Sequence, residues 1–353
     1  MPRKGLVVVT PGNHSHVAGD GVPGTQSIAN RPLVCHVLRA LHTAGAREVA
    51  IVGSPDDLIR VGRTIEADGE DCSRLTYLPH HGRSDLLGVL ATAAPFVGDD
   101  ACVVHTADGL AAEPLEPFVD QLGQDSADLI LMLHRSANKQ DRLGPKMRQL
   151  LGISELNGGR TRLCLAGVCL IGQGALRQTC LAGHDASEEL DLTGIAERIA
   201  SRGKHLEVAF LRTWRRYDGK PVDLLELNRI VLDQQLESVD SLDGQADNRI
   251  EGRVVIHPTA EITSSVILGP TIIGAGTRIT NSYIGPYTSI GAGAEIEGAE
   301  IERSIVLDGA RIMHVSGRIE ASTVGPRANI FRDFTIPRAL RMHVGEGVEL
   351  ALN

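Results

Sequence analysis

Basic and imidazole side chains are closely spaced at two places in the sequence, where they could bind a phosphate group or a metal ion. Arg215, Arg216 and Lys220 stand close together and could hold a phosphate group, although such a run more often forms a solvated charge cluster. His14 and His16 alternate in a polar segment and could belong to a metal site. The sequence places no third ligand beside them, which favours solvated histidines. Phosphate binding is the stronger of the two hypotheses.

Composition excludes several classes of function. The formal net charge of −9 argues against a nucleic-acid or membrane-surface binder, because both kinds of partner need clustered positive charge. Aromatic residues make up 3% of the chain, too few for a platform that stacks bases. The six cysteines form no CxxC pair, and Cys35, Cys102 and Cys169 lie inside apolar runs, so we expect buried reduced thiols. We expect no membrane span and no signal peptide, and a cytoplasmic location.

Apolar strand segments alternate with amphipathic helices along the first two-thirds of the chain. The expected strands are 4–9, 48–52, 101–105, 128–133, 163–171 and 206–210, and the expected helices are 33–44, 85–94, 115–122, 190–202 and 221–236. This order indicates an α/β domain with a Rossmann-like, mixed and mainly parallel sheet. Ligands of such sheets bind outside the carboxyl ends of the strands. The segments after Val9, His105 and Phe210 are therefore the places to look for a site.

A second architecture begins near Val254. Aliphatic residues recur there every five or six positions up to about Ile330, and several of them are followed by glycine. A period near six is neither helical nor alternating, and it predicts short strands stacked into about four triangular coils. Glycine and asparagine at the corners tolerate the positive φ that the turns need. We therefore predict an α/β domain at 1–237, a polar linker at 238–252 and a parallel β-helix domain with a C-terminal tail at 253–353.

Several segments resemble the sugar-1-phosphate nucleotidyltransferases, and most closely the long form of glucose-1-phosphate thymidylyltransferase. The matching segments are Ile28-Ala29-Asn30-Arg31-Pro32, Phe96-Val97-Gly98-Asp99-Asp100, Glu189-Leu190-Asp191-Leu192-Thr193, Leu225-Glu226-Leu227-Asn228-Arg229 and the run 281–291. The resemblance covers nearly the whole chain. It implies attack of a sugar phosphate on the α-phosphorus of a nucleoside triphosphate, with Mg²⁺ and cationic side chains neutralising the phosphates. The left-handedness of the β-helix is also implied by this resemblance.

The resemblance also implies roles for particular residues. Thr10, Gly12 and Asn13 stand where the family has its nucleotide-binding loop, and Gly167 and Glu189 stand in its sugar pocket. Asp108 and Asp218 correspond to the two metal-binding aspartates, although strict alignment from Asn228 puts Tyr217 in the second place. Read without the family, Asp108 is an ordinary turn or helix-capping residue, and Asp218-Gly219 is a common turn pair.

The catalytic segments depart from the family pattern. The first loop keeps one glycine, lacks the phosphate-binding arginine and gains Pro11, which removes a backbone donor. The lysine expected after Pro23 is absent, and Asp85 replaces a glycine near the expected base pocket. The family's E-E-K-P clamp has no counterpart between Ile153 and Thr161. Because several groups that stabilise the transition state are missing together, little catalysis is expected.

Three functions follow from these observations. The first is a homologue without catalysis that binds a nucleotide or sugar nucleotide, or acts as a regulatory or scaffolding subunit. The second is an active nucleotidyltransferase for an unusual sugar or cyclitol phosphate, using Mg²⁺ and replacement cations such as Arg83, Arg215 or Lys220. The third is a β-helix acyltransferase with His314 as its base. A homo-oligomer is expected, and a hetero-oligomer with an active nucleotidyltransferase is possible in the first case.

Overall fold

The computed structural model describes residues 3–9, 21–69, 74–81, 86–124, 127–136, 143, 145–151, 162–176, 192–235 and 247–334. Their contacts divide the chain into two compact units. Unit 1 contains the first strand, Val22–Thr25 and Pro32–Arg216, and unit 2 contains Gln26–Arg31 and the chain from Tyr217 onwards.

Unit 1 is built on a seven-stranded mixed sheet. The strands of this sheet are β1 (Arg3–Val8), β4 (Glu48–Gly53), β5 (Leu75–Pro79), β6 (Ala101–Thr106), β8 (Leu129–Ser136), β9 (Arg162–Ile171) and β10 (Leu206–Phe210). The two-residue strands β2 (Ser27–Ile28) and β3 (Arg31–Pro32) come between β1 and β4 along the chain and pair with each other in a separate sheet. Their order is β10-β8-β9-β6-β1-β4-β5. Strand β9 runs antiparallel to both of its neighbours, and the other pairs are parallel. The Rossmann-like, mainly parallel sheet is thus confirmed, with β6 near its middle.

Helices follow the strands as the apolar periodicity predicts. They are α1 (Leu33–Thr43), α2 (Pro55–Asp68), α3 (Leu86–Val97), α4 (Glu116–Gln124), α5 (Pro145–Leu150), α6 (Leu192–Ser201) and α7 (Pro221–Gln235). The sequence interpretation omitted α2, although Ser54 caps it by accepting from the Asp57 amide and Pro55 opens it. A small ribbon completes the unit, in which β7 (Gly109–Ala111) pairs antiparallel with β11 (Trp214–Arg216).

Unit 2 is a left-handed parallel β-helix together with α7. Three sheets of five parallel strands run along it, in the orders β12-β15-β18-β21-β24, β13-β16-β19-β22-β25 and β14-β17-β20-β23-β26. The strands are β12 (Arg249–Glu251), β13 (Val254–Ile256), β14 (Glu261–Thr263), β15 (Val266–Leu268), β16 (Thr271–Ile273), β17 (Arg278–Thr280), β18 (Tyr283–Ile284), β19 (Thr288–Ile290), β20 (Glu295–Glu297), β21 (Glu300–Glu302), β22 (Ile305–Val306), β23 (Arg311–Met313), β24 (Arg318–Glu320), β25 (Thr323–Val324) and β26 (Asn329–Phe331).

The interior of the β-helix is the aliphatic column that the six-residue period predicts. Ile267, Ile284 and Ile301 are fully buried and stack along one sheet. Asn281 has a φ of 47° at a corner, as expected for a residue that tolerates the left-handed region. Each sheet holds five strands in the described part of the chain, one more coil than the four predicted.

The units begin and end elsewhere than the predicted boundaries. The expected linker at 238–252 already contains β12, which pairs with β15 inside the β-helix. Helix α7, placed by the sequence in the first domain, belongs to unit 2, where Arg253 donates a 3.0 Å bond to the Asp233 carboxylate. The physical reason is that α7 packs with the β-helix instead of with the seven-stranded sheet.

The described cysteines confirm the expected thiols. Cys35, Cys102, Cys164 and Cys169 are buried and are not joined in disulfides, and burial raises the pKa of Cys102 and Cys169. Such thiols are inert at neutral pH. Among the helices that the structure describes, none has the length and hydrophobicity of a membrane span.

Candidate functional site

The carboxyl end of β6 carries the acidic residue that the sequence singled out. Asp108 lies two residues after the end of this strand at Thr106, and only 2% of the residue is exposed. Its Oδ2 atom accepts a 2.8 Å bond from Nε of Arg216, whose side chain is 48% exposed. A buried carboxylate needs a partner of this kind, because an uncompensated charge away from water is costly. The pair places a fixed guanidinium at the edge of the sheet where ligands of such folds bind.

The ribbon of β7 and β11 brings the two charges together. Its register puts Arg216 opposite Gly109, the residue after Asp108. A side chain at Gly109 would meet Cζ2 of Trp214 at 2.6 Å and the carbonyl oxygen of Arg215 at 2.7 Å. Only glycine lets the strands approach this closely, so the glycine directly supports the Asp108–Arg216 pair.

Trp214 covers the neighbouring strand ends. It is 7% exposed, and its ring lies 5.4 Å from the ring of His105, centroid to centroid. A Cβ at Gly167 on β9 would clash with Oγ1 of Thr106 and would lie 2.8 Å from Cζ2 of Trp214. The glycine predicted in the sugar pocket is thus required by packing in this structure. Its role toward a sugar stays a prediction.

His105 contributes a neutral group to this cluster. Its Nδ1 atom lies 2.7 Å from the carbonyl oxygen of Thr106, so Nδ1 carries the proton and donates. Burial lowers the imidazole pKa to about 4, against the opposing effects of the Thr106 bond and the charge of Asp108. Its Nε2 atom has no hydrogen-bond partner among the described residues. The positive charge at this strand end therefore comes from arginine and not from imidazolium.

Known proteins resemble the chain over nearly its whole length. Glucose-1-phosphate thymidylyltransferase of Streptomyces griseus is 29% identical over 326 residues, which is 90% of each chain. The enzyme of the same name from Streptomyces antibioticus is 28% identical over 331 residues, covering 91% of this chain and 90% of that one. The low-salt glycan biosynthesis nucleotidyltransferase of Haloferax volcanii is 28% identical over 343 residues, 92% of each. No family model matches the sequence.

The chain is similar to glucose-1-phosphate thymidylyltransferases over about nine-tenths of its length. A crystal structure assigned to that activity, from Bacillus anthracis, has the same fold with a TM-score of 0.54 at 18% identity. It aligns with 67% of this chain and 98% of its own. The sequence resemblance and the Rossmann-like fold are confirmed together.

The described residues around Asp108 do not fit the Mg²⁺ ion that glucose-1-phosphate thymidylyltransferases imply. Mg²⁺ requires octahedral oxygen ligands and usually keeps several waters. Asp108 is almost fully buried, and one of its oxygens is engaged by Arg216. The structure places no group of three or more His, Cys, Asp or Glu side chains in a metal-binding arrangement anywhere in its described part. The metal role of Asp108 stays a prediction, and Arg216 engages one of its two carboxylate oxygens.

Asp218, the other predicted metal ligand, belongs to unit 2. Its backbone amide donates a 3.2 Å bond to the Asp223 carboxylate in the first turn of α7. Tyr217 precedes it and is buried, which raises the phenol pKa to about 12, with a further contribution from Asp223. The structure therefore gives Asp218 a place in the turn before α7, and its metal role stays a prediction.

The remaining predicted site residues lie outside the described residues. They are Thr10, Gly12 and Asn13 of the nucleotide-binding loop and Glu189 of the sugar pocket. Their assignment continues to rest on the sequence resemblance.

The motifs that carried the resemblance meet at Asn228. This fully buried side chain accepts from the Ala29 amide at 2.8 Å and from the Ser289 hydroxyl at 3.0 Å, and it donates to the Tyr287 carbonyl at 3.1 Å. The side chain of Asn30 donates to a carbonyl of β19 at 2.6 Å. Three separate family-like segments thus build the interior of unit 2.

Sequence reasoning missed the role of Arg216. It placed this residue in a cluster that was either solvated or phosphate-binding and did not pair it with Asp108. The signal was present in the form of a basic residue at the end of a short strand, two residues after Trp214. Without the ribbon, nothing in the sequence connects residues that are 108 positions apart.

Proposed function

We propose that this homologue of sugar-1-phosphate nucleotidyltransferases binds a nucleotide or sugar nucleotide without catalysing nucleotidyl transfer. It would then act as a regulatory or scaffolding subunit, alone or beside an active nucleotidyltransferase. The observation that carries the proposal is the ion pair between Asp108 and Arg216. A carboxylate held by a guanidinium is poorly placed to coordinate the Mg²⁺ that the transfer reaction needs.

The sequence supports the same conclusion independently. The loop arginine, the lysine after Pro23 and the E-E-K-P clamp are all absent. Phosphoryl-type transfer depends on positioning and on neutralising the phosphates, and each lost donor of this kind typically costs about a hundredfold to a thousandfold in rate. Arg216 alone does not replace the several phosphate-binding groups that are absent.

Pyrophosphate release tests the proposal directly. The full-length protein is incubated with Mg²⁺, each nucleoside triphosphate and a panel of sugar and cyclitol phosphates, with the Streptomyces griseus enzyme assayed in parallel. We expect no release above the rate of the mixture without protein. Sustained turnover with any pair of substrates would overturn the proposal.

One observation favours the alternative of an active enzyme with an altered site. Asp108 is retained at the end of β6, and Arg216 brings a cation to the same place. In that case turnover would be present in the wild type and abolished by Arg216→Ala. In the non-catalytic case the wild type and the variant give the same background.

Subunit partners form the second part of the proposal. Affinity purification of the full-length chain from its own cells, followed by mass spectrometry, would recover an intact nucleotidyltransferase if the chain is a scaffold for one. Light scattering of the purified protein would give a mass above 37.7 kDa if the chain forms the expected homo-oligomer.

A further inference from the structure

Arg216 is fixed in place by the backbone around it. The Glu113 carboxylate holds the segment before Arg216, because it accepts hydrogen bonds from the backbone amides of Arg212 and Thr213. The carbonyl oxygen of Thr213 in turn accepts a 3.0 Å bond from the Ala112 amide. Strand β11 therefore enters the ribbon with a set register, and its last residue cannot drift away from the end of β6.

The partner of Arg216 is equally constrained. The side chain of Asp108 is 3% exposed, whereas that of Arg216 is 48% exposed. The buried acid thus orients a permanent cation of which about half faces solvent. A metal ion at Oδ2 would have to displace this cation, and a hydrated metal would have to open a buried carboxylate to water, which is unfavourable.

We propose that Arg216, anchored by Asp108, replaces Mg²⁺ at this strand end, and that it binds the diphosphate of a sugar nucleotide without a metal ion. A planar guanidinium matches phosphate oxygens in geometry and stays charged at every physiological pH. The diphosphate diester of a sugar nucleotide carries less negative charge than a nucleoside triphosphate, so a single fixed cation suits it better. Neighbouring His105 is neutral, which leaves arginine to supply the charge.

This inference rests on the binding part of the proposed function and is tested separately from catalysis. Thymidine diphosphate glucose is titrated calorimetrically into the full-length protein, once with millimolar Mg²⁺ and once with EDTA. This probe is suitable because its diphosphate complexes free Mg²⁺ only weakly. We expect the two dissociation constants to agree within about twofold, and Arg216→Ala to weaken binding by about tenfold or more in both buffers.

Two further variants separate the effect of charge from that of geometry and provide a control. Arg216→Lys retains the charge but loses the planar fork, so we expect an intermediate affinity and an intact fold. Arg3→Ala is the matched control, because it removes another ion-paired arginine at the opposite, amino end of the sheet, next to Asp120. Its affinity should stay within about twofold of the wild type.

Each result decides the inference. Mg²⁺ that strengthens binding by more than about tenfold, an Arg216→Ala protein that binds normally, or a wild type that does not bind the probe would each overturn it. None of these outcomes produces pyrophosphate, so they cannot be confused with failure of the non-catalytic proposal. If the protein bound the probe without a metal ion and also released pyrophosphate from substrates, only the proposal that it lacks catalysis would be overturned.

Discussion

Nε of Arg216 lies 2.8 Å from Oδ2 of Asp108, joining the end of β11 to the end of the central strand β6. The acid is buried and the base is half exposed, so the pair is neither a solvated surface bridge nor a fully buried one. Desolvation of the carboxylate makes the partner necessary, while exposure of the guanidinium moderates the strength of the interaction. The stability of unit 1 and the ligand binding that we propose therefore depend on the same contact.

Removing the base should destabilise unit 1. Arg216→Ala leaves the Asp108 carboxylate without this partner, and we expect the free energy of unfolding to fall by about 1–3 kcal/mol, discounted for the exposure of Arg216. Urea denaturation can be followed by the fluorescence of Trp214, the chain's one tryptophan, which lies in the same ribbon.

A second substitution separates charge from packing. Asp108→Asn in the Arg216→Ala background removes the buried charge that has lost its contact with Arg216, and it should recover about 1 kcal/mol of the loss. Arg3→Ala breaks an ion pair with an acid that is 62% exposed and should cost less than about 0.5 kcal/mol. Equal losses in Arg3→Ala and Arg216→Ala would contradict a special role for the buried pair.

Close packing at Gly167 leads to the second prediction. Gly167→Ala puts a methyl group against Oγ1 of Thr106 and the ring of Trp214, and it should destabilise unit 1 by about 1–3 kcal/mol. Gly62→Ala is the control, because its Cβ would meet only the ring of Tyr77, at 3.7 Å, inside helix α2. That change should be neutral or stabilising by up to about 1 kcal/mol. A stable Gly167→Ala protein would show that the neighbouring side chains can move aside.

Local sequence patterns predicted the elements with strong periodicity and missed those without it. The six-residue period located the β-helix, and the buried run Ala101–Thr106 located the end of β6 with Asp108 beside it. Strands β7 and β11 hold only three residues each, too few to show any alternation. Their pairing is a tertiary event, and for this reason Arg216 could not be assigned from the sequence.

The resemblance had a similar limit. Segments such as Leu225–Asn228 identified relatives correctly, but in the structure Asn228 serves the interior of unit 2. A motif match shows that a position is shared and does not show what its side chain contacts. The contacts of Asn228 involve segments about 200 and 60 residues away along the chain, as the 199-residue separation from Ala29 illustrates.

Burial of His105 should make stability depend on pH. Its folded pKa is lowered to about 4 from 6.5, so the unfolded chain binds the proton more readily than the folded one between these values. This contribution to stability is complete above about pH 6.5 and is lost as the pH falls toward about 4. Between pH 7 and pH 5 the loss should be on the order of 2 kcal/mol.

Replacement of the imidazole provides the check. His105→Leu should flatten the dependence of the urea midpoint on pH over this interval. His205→Gln, which alters a side chain that is 59% exposed, should leave the wild-type slope in place. An unchanged slope in His105→Leu would mean that other groups cause the acid sensitivity.

The Asn228 cluster gives the last prediction, which concerns unit 2 alone. Asn228→Ala removes one acceptor shared by the Ala29 amide and the Ser289 hydroxyl, and one donor to the Tyr287 carbonyl. Because these groups are buried, the free energy of unfolding of unit 2 should fall by about 2–4 kcal/mol. Hydrogen exchange measured by mass spectrometry should show faster exchange in the peptide that contains Ala29.

Two companion variants identify the cause of that effect. Asn228→Asp keeps the acceptor oxygen but loses the amide donor, so protection at Ala29 should be partly retained. Asn329→Ala changes an exposed asparagine in β26 and should leave exchange at Ala29 unaltered. If Asn228→Ala and Asn329→Ala exchange alike, the segment 26–31 is held by its apolar contacts, such as buried Ile28, and not by the asparagine.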